Sequence, residues 1–352
     1  RRLMTHSEKI SVTSAIGLLL CVKQSWFTNQ ESLDWLSSPL SEAAALGTVS
    51  HQIVEEIDGG KFDNLAQDQL EKRIFGRWDD LVSEQRIKLE AKAKFGKPPK
   101  PSRWPFYIVK RHAIYERALN RQGYLAGVGV GVNHRPEIEE SFSSDNLGLY
   151  GRIDRIEHTL DGVRIVDLKT SINENDSISE RFRIQLLLYC ALYRDKMHVT
   201  PGQAAIEWQD GTRSYMNIYD NEIDDLLVKV KNSLEILSRE SSPIGAPRED
   251  VCLYCNYRSV CSDFQSLERA DWSRTSAFVS GSVAEVIERS DGKSIKVSLT
   301  EAHPPWIGSA LVHRIPLEIP FDNGSKVVFD NLKWRGGEGN FDATWKTRYN
   351  IE

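Results

Sequence analysis

Apolar residues recur three and four apart from Ser11 to Trp26, the spacing of a helix with one buried stripe. A second helix is expected from Ser41 to Ile57, with a serine cap, the run Ala43-Ala44-Ala45, and a stop at Gly59-Gly60. The period then changes. Leu149 to Leu160 and Val163 to Thr170 are strand-like runs joined by Asp161-Gly162, a dipeptide that favours a two-residue hairpin. Helices are expected again over about 179–196 and 221–238. From about Asp271, Val and Ile return at strand spacing through 278–288 and 294–299, around a second Asp-Gly. Gly127, Gly129 and Gly131 alternate with valines and read as a glycine-bearing strand or loop. Val132 stands where a dinucleotide fingerprint needs its third glycine. The chain is thus expected to divide near residue 268 into an α/β part and a small β-rich, barrel-like part over 269–352.

The 352 residues are 40% hydrophobic and 27% charged, enough for a sizeable core. Collagen-like, disordered and disulfide-scaffold classes are excluded. No apolar run approaches the ~20 residues of a membrane span. Leucines, not small residues, precede Cys21, so a secretion or lipoprotein signal is not expected and a cytoplasmic location is. The net charge of −5 hides an asymmetry. Residues 86–121 carry eleven Lys/Arg against Glu90 and Glu116, a net of +9, leaving −14 elsewhere. This basic helical stretch holds a loop, Gly96 to Pro101. It is either a solvated face or an arm that tracks phosphates through Lys97, Lys100, Arg103, Lys110 and Arg111.

The hairpin gathers chemistry. With Asp161-Gly162 as the turn, residue 160 pairs with 163, Lys169 lies opposite Asp154, and Asp167 lies opposite Ile156. Asp154 and Asp167 become diagonal neighbours on one face. Two adjacent carboxylates repel each other and invite a hard divalent cation, Mg2+ or Mn2+. Lys169 beside them can stabilise developing phosphorane charge or orient a water. The plain alternative is a surface salt bridge of the two aspartates with Lys169 and Arg152. Gln185 and Tyr189, four apart on the next helix, share one face of an otherwise apolar element. His51 sits one turn after Gly47 on the early helix. Three of the five cysteines crowd together as Cys252-x-x-Cys255-x5-Cys261 within a loop-rich segment, 247–263. An odd, sparse count argues against a secreted disulfide framework. With the distant Cys21 they make four thiols that suit Zn2+ or an iron–sulfur cluster equally. Cys190 reads as a small buried apolar residue.

Gly151-Arg-Ile-Asp154, Val166-Asp167-Leu-Lys169, Gln185-x-x-x-Tyr189 and Gly47-x-x-x-His51, in that spacing and order, resemble the PD-(D/E)xK nuclease core of RecB-like exonucleases. The resemblance covers roughly residues 7–265. Two departures are Asp167 where Glu is commoner and Ile153 before the first aspartate. The cysteines resemble those of the iron–sulfur subgroup, which includes CRISPR-associated and AddB-type nucleases. The resemblance implies a restriction-endonuclease-like α/β core over 1–268, a mixed sheet flanked by helices, with a basic helical insertion at about 76–121. It implies that His51, Asp154, Asp167 and the Leu168 carbonyl ligate Mg2+ or Mn2+, and that Lys169 is catalytic. Gln185 and Tyr189 would position the lysine or a phosphate. Cys21, Cys252, Cys255 and Cys261 would hold a 4Fe-4S cluster, with Zn2+ the alternative.

The implied activity is metal-dependent hydrolysis of DNA, as an exonuclease on single strands or ends, in repair or antiviral defence. No Walker A sequence is present, so a helicase or defence-system protein would be a separate partner. A non-catalytic DNA-binding or scaffold subunit is the second reading, against which the intact Asp154, Asp167 and Lys169 speak. A zinc deaminase is set aside, since Val251 rather than Pro precedes Cys252 and the one His-x-Glu is His6-Ser7-Glu8. The start of the C-terminal part looks somewhat like an OB-fold, whose aromatics stack single-stranded bases. Trp272, Trp306, Trp334 and Trp345 would supply them, unless they are core or interface residues.

Overall fold

The first apolar stripe forms two helices rather than one in the computed structural model, which describes residues 9–37, 41–127, 137–169, 178–209, 211–266, 277–290, 292–303 and 308–351. Helix α1 (Val12–Leu20) is capped by the Ser11 hydroxyl, which accepts from the Ser14 amide. It ends at Cys21, whose extended backbone separates it from α2 (Val22–Thr28). Helix α3 (Glu42–Asp58) starts and stops as expected, with Ser41 accepting from Ala44 N and Gly59 at the C-cap. Helices α4 (Gln67–Lys92) and α5 (Tyr107–Gly127) pack on α3 and on each other around Leu46, Ile53, Leu70, Ile74 and Trp78. They are the basic insertion, and the Gly96–Pro101 loop joins them as expected.

A six-stranded mixed sheet follows. Its strands are β1 (Ile10–Ser11), β2 (Glu137–Ser144), β3 (Leu149–Thr159), β4 (Gly162–Leu168), β5 (Gln203–Glu207) and β6 (Arg213–Asn217). β3 runs antiparallel to β2 and β4 and parallel to β1. β4 and β5 are parallel, so the chain crosses over through α6 (Glu180–Met197). Ser179 caps α6, which packs with α1 and α7 (Asp220–Arg239) around one apolar core that includes Ile153, Ile156 and Ile165 of the hairpin. The other helices reach the sheet through buried charge. Arg155 pairs with Asp58 of α3 and, at 2.9 Å, with Glu207 of β5. Arg117 of α5 meets Glu207 at 2.6 Å.

The hairpin register differs from expectation by two residues. Thr159 pairs with Gly162, so Leu160-Asp161 is the turn. Gly162 takes φ +114, which an L side chain rarely adopts, and Thr159 Oγ1 donates to Gly162 O across the turn at 2.9 Å. A two-residue slip keeps the expected faces along the paired stretch from Arg155 to Val166. It changes who stands opposite whom. Arg155 pairs with Val166, and past that last pair the Leu168 amide reaches the Asp154 carboxylate, so Asp154 stands beside the Asp167–Leu168 end of β4.

The C-terminal part is a closed barrel. Its strands are β7 (Ala277–Arg289), β8 (Gly292–His303), β9 (Ser309–Ile315), β10 (Lys326–Trp334) and β11 (Asn340–Asp342), with β12 (Arg348–Ile351) added beside β10. The ring runs β7-β8-β9-β11-β10 and back to β7, parallel only at β9–β11. At Gly281 a Cβ would lie 2.0 Å from the Ser298 carbonyl oxygen, so only glycine permits that approach.

Aromatic residues join the barrel to the helices. Phe95, from the α4–α5 loop, is buried in the barrel core with Val279, Phe329 and Phe341. Trp345 packs into the helical core that includes Leu168, and Trp334 Nε1 donates to Gly337 O. Trp345 is therefore an interface residue, and not an open stacking platform. Asp330 of β10 is buried beside Arg258 and Arg348, and burial pushes its carboxyl up to about 6 against their pull. Trp272, Trp306, His6-Ser7-Glu8, the 268/269 boundary and most of the Gly127–Gly131 stretch lie outside the described residues. Gly127 itself ends α5.

Candidate active site

Strand ends, a helix face and a helix start converge on one cleft of about 720 Å³. β3 supplies Asp154 and β4 supplies Asp167, with Lys169 just past its end. The Leu168 amide donates to Asp154 Oδ2 at 2.8 Å, fixing the first carboxylate against the second strand. The Lys169 amide donates to the Glu207 carbonyl at 2.8 Å, extending the β4–β5 pairing and holding the lysine in place. α6 faces the strands with Gln185 and Tyr189, one turn apart as expected. Lys169 Nζ lies 2.6 Å from Asp167 Oδ2 and donates to Gln185 Oε1 at 2.9 Å. Gln185 Nε2 in turn donates to Tyr189 OH at 3.1 Å. The lysine also sits 4.8 Å over the Phe182 ring. Close packing makes this possible: a Cβ at Gly151 would lie 2.9 Å from Val12 and 3.1 Å from the Tyr189 ring.

Asp167 is 1% exposed. Burial pushes its carboxyl up to about 6, the Asp154 charge pushes the same way, and Lys169 and His51 pull it down. Burial and the Asp167 charge likewise hold the Tyr189 phenol well above its ordinary range. His51, on α3, lines the cleft and also a smaller crevice behind Lys169. The structure thus brings His51, Asp154, Asp167, Lys169, Gln185 and Tyr189 together.

Tyr150 and Thr13 also line the cleft and were not singled out from the sequence, and Arg152, expected only as a salt-bridge partner, lines it too. The signal for two of them was present. Tyr150 and Arg152 alternate with Asp154 at the strand period of two.

Among the described residues, no group of three or more His, Cys, Asp or Glu is gathered as a ready ligand set. A hard cation takes carboxylate donors and ordinarily completes its shell with main-chain carbonyls and waters. Asp154 and the buried Asp167, close enough that each feels the other's charge, fit that demand.

The chain matches the pattern of the PD-(D/E)XK nuclease superfamily over residues 9–262. That range holds the whole cleft and covers more than half of the chain. The chain belongs to this superfamily. Its members are in general nucleases that use divalent metals such as Mg2+. No curated protein matches the nuclease in sequence. Two solved structures are similar over part of their length. One is SSO0001, at 15% identity and TM-score 0.26, covering 45% of this chain and 78% of that one. The other, from Eubacterium rectale, is provisionally named an exonuclease; identity is 12% and TM-score 0.27, covering 53% and 77%. Neither score bears on the architecture.

The nuclease carries a second cluster. Cys21, at the α1–α2 break, shares one recess with Cys252, Cys255 and Cys261. Burial raises the three C-terminal thiols, Cys255 to about 12. Cys190 lies apart, fully buried on α6, as expected of a small apolar residue.

The expected DNA-contacting cations divide. Lys97, Lys100 and Arg103 are exposed. Lys110 is 7% exposed, and burial lowers its ammonium to about 8. Arg111 is turned to Asp79 at 3.3 Å and stacks 3.9 Å over Phe75. Arg111 thus serves the α4–α5 pair, and Lys110 is a buried cation, not a surface one. Among the described residues no helix is long and apolar enough to cross a membrane.

Proposed function

We propose that the protein is a Mg2+- or Mn2+-dependent deoxyribonuclease acting on single-stranded DNA or DNA ends. The observation that carries this reading is the chain of contacts from Asp167 through Lys169 and Gln185 to Tyr189, with a second carboxylate, Asp154, beside it. A surface salt bridge would not bury Asp167 or hold its partner lysine from a second element. Asp154, Asp167, His51 and the Leu168 carbonyl would hold the metal. A divalent ion bound there would polarise the scissile phosphate and lower the pKa of the attacking water. Lys169, gripped on two sides, presents its charge to a phosphate in the cleft. Gln185 fixes the lysine, and Tyr189 fixes Gln185. Arg152 supplies further positive charge at the cleft wall.

Cys21, Cys252, Cys255 and Cys261 would hold a 4Fe-4S cluster, with Zn2+ the alternative for the same four thiolates. Their shared recess supports that reading. That link would tie the α1–α2 break to the segment that closes the nuclease core. The barrel is read as OB-like on its strand order. Phe95 and Trp345 support a role in holding the helical insertion. The process is DNA repair or antiviral defence, with a helicase or defence-system protein as a separate partner and a cytoplasmic setting. Cleavage of end-labelled DNA, wild type beside Asp167→Ala, tests the assignment.

A further inference from the structure

The loop between α4 and α5 is built stiffly and left exposed. It holds Pro98, Pro99, Pro101 and Pro105. Phe95 anchors one end in the barrel core, and buried Trp104 anchors the other in the helical core, its Nε1 donating to Pro99 O at 2.9 Å. A short turn over Pro101–Arg103 is closed by Trp104 N donating to Pro101 O. Phe106 follows, with φ +62 and 61% of its surface exposed. A bulky L-residue seldom takes that conformation. Here it starts α5, whose Lys110 amide donates to Phe106 O, and leaves the ring in solvent. Ile108 and Val109 beside it are 64% and 51% exposed.

The charge of the segment that bears this patch has one sign. No Asp or Glu occurs between Glu90 and Glu116, a stretch with seven Lys/Arg. Lys97, Lys100 and Arg103 are exposed in the loop itself. Asp79 of α4 is near, and it is engaged by Tyr107 OH and Arg111. An exposed ring beside loop cations is the combination that takes unpaired bases and their phosphates. A duplex offers no base face except at its end. The patch sits at the start of the helix that reaches the crevice behind Lys169. Ile114, two turns along α5 from Phe106 or about 12 Å, lines the crevice that His51 and Lys169 share.

We propose that Phe106 is a stacking residue for an unpaired base of a single-stranded nucleic acid, with Lys97, Lys100 and Arg103 on the adjoining phosphates. This rests on the nuclease reading above and names how that site takes its strand. The base stacks a few nucleotides from the cleft, so the loop admits single strands and frayed ends in preference to continuous duplex.

The test uses the full chain in EDTA, with oligonucleotides carrying 2-aminopurine at successive positions. Wild type should quench the probe at one narrow set of positions. Phe106→Ala should lose that quenching and bind the strand about tenfold more weakly, while Phe106→Trp keeps both. Thermal melts confirm that each variant is folded. Wild-type quenching and affinity in folded Phe106→Ala would overturn the proposal. So would intact strand binding with loss of self-association in sedimentation, which would make the patch a protein interface. Hydrolysis of bis(p-nitrophenyl) phosphate by wild type with Mn2+ reports on the cleft separately. Activity there with no Phe106 effect sinks only the stacking proposal, whereas a Phe106 effect without hydrolysis sinks only the nuclease reading.

Discussion

Lys169 Nζ lies 2.6 Å from Asp167 Oδ2, and both groups are held from outside the pair. The lysine is anchored on Gln185, and Asp167 is pressed into the sheet end beside Asp154. An ion pair so supported keeps its geometry when a substrate arrives.

Gln185→Ala should therefore lower kcat about ten- to a hundredfold with little change in KM. The fold should survive, because Gln185 is at the edge of the α6 core. Steady-state cleavage with Mg2+ measures this. A KM rise at constant kcat would place Gln185 on the substrate and not on the lysine.

Mg2+ or Mn2+ should raise the melting temperature of wild type in a concentration-dependent way. Asp154→Asn, which removes one of two repelling charges, should raise the metal-free melting temperature and abolish the metal response. Differential scanning calorimetry with and without EDTA reads both effects.

The hairpin site was legible in the sequence because a two-residue slip conserves faces. The wrong register still gathered Asp154, Asp167 and Lys169 on the right side of the sheet. The pairing itself depended on Gly162, whose φ +114 moved the turn one place earlier. Ser41 and Ser179 announced α3 and α6 by local capping chemistry, which a sequence displays directly. The barrel's attachment was not legible. Phe95 and Trp345 look like any aromatics until the fold shows Phe95 inside the barrel and Trp345 inside the helical core. Lys110 failed as a surface cation for the same reason. Its burial comes from packing, not from its neighbours in the chain.

Anaerobically purified protein should be brown and contain iron, and Cys255→Ser should lose both the colour and several degrees of thermal stability. Colourless protein loaded with zinc would replace the cluster by a zinc site on the same cysteines.

Asp330 predicts a pH dependence of opposite sign to ordinary acid unfolding. Its folded pKa, about 6, is above the ordinary carboxylate value, so the native state binds more protons between about pH 4 and 6. This group's contribution to stability is therefore greatest below pH 4 and falls as pH rises to 6, by roughly 3 kcal/mol. Denaturant melts of Asp330→Asn and wild type should diverge across that window. Parallel curves would show that Arg258 and Arg348 keep Asp330 ionised throughout.

The central claim is met most directly by cleavage of end-labelled single-stranded, duplex and circular DNA with Mg2+ or Mn2+. Wild type should degrade single strands and free ends, and Asp167→Ala should be slower by about a thousandfold. Undiminished cleavage by Asp167→Ala, or no cleavage by wild type with either metal, would contradict the account.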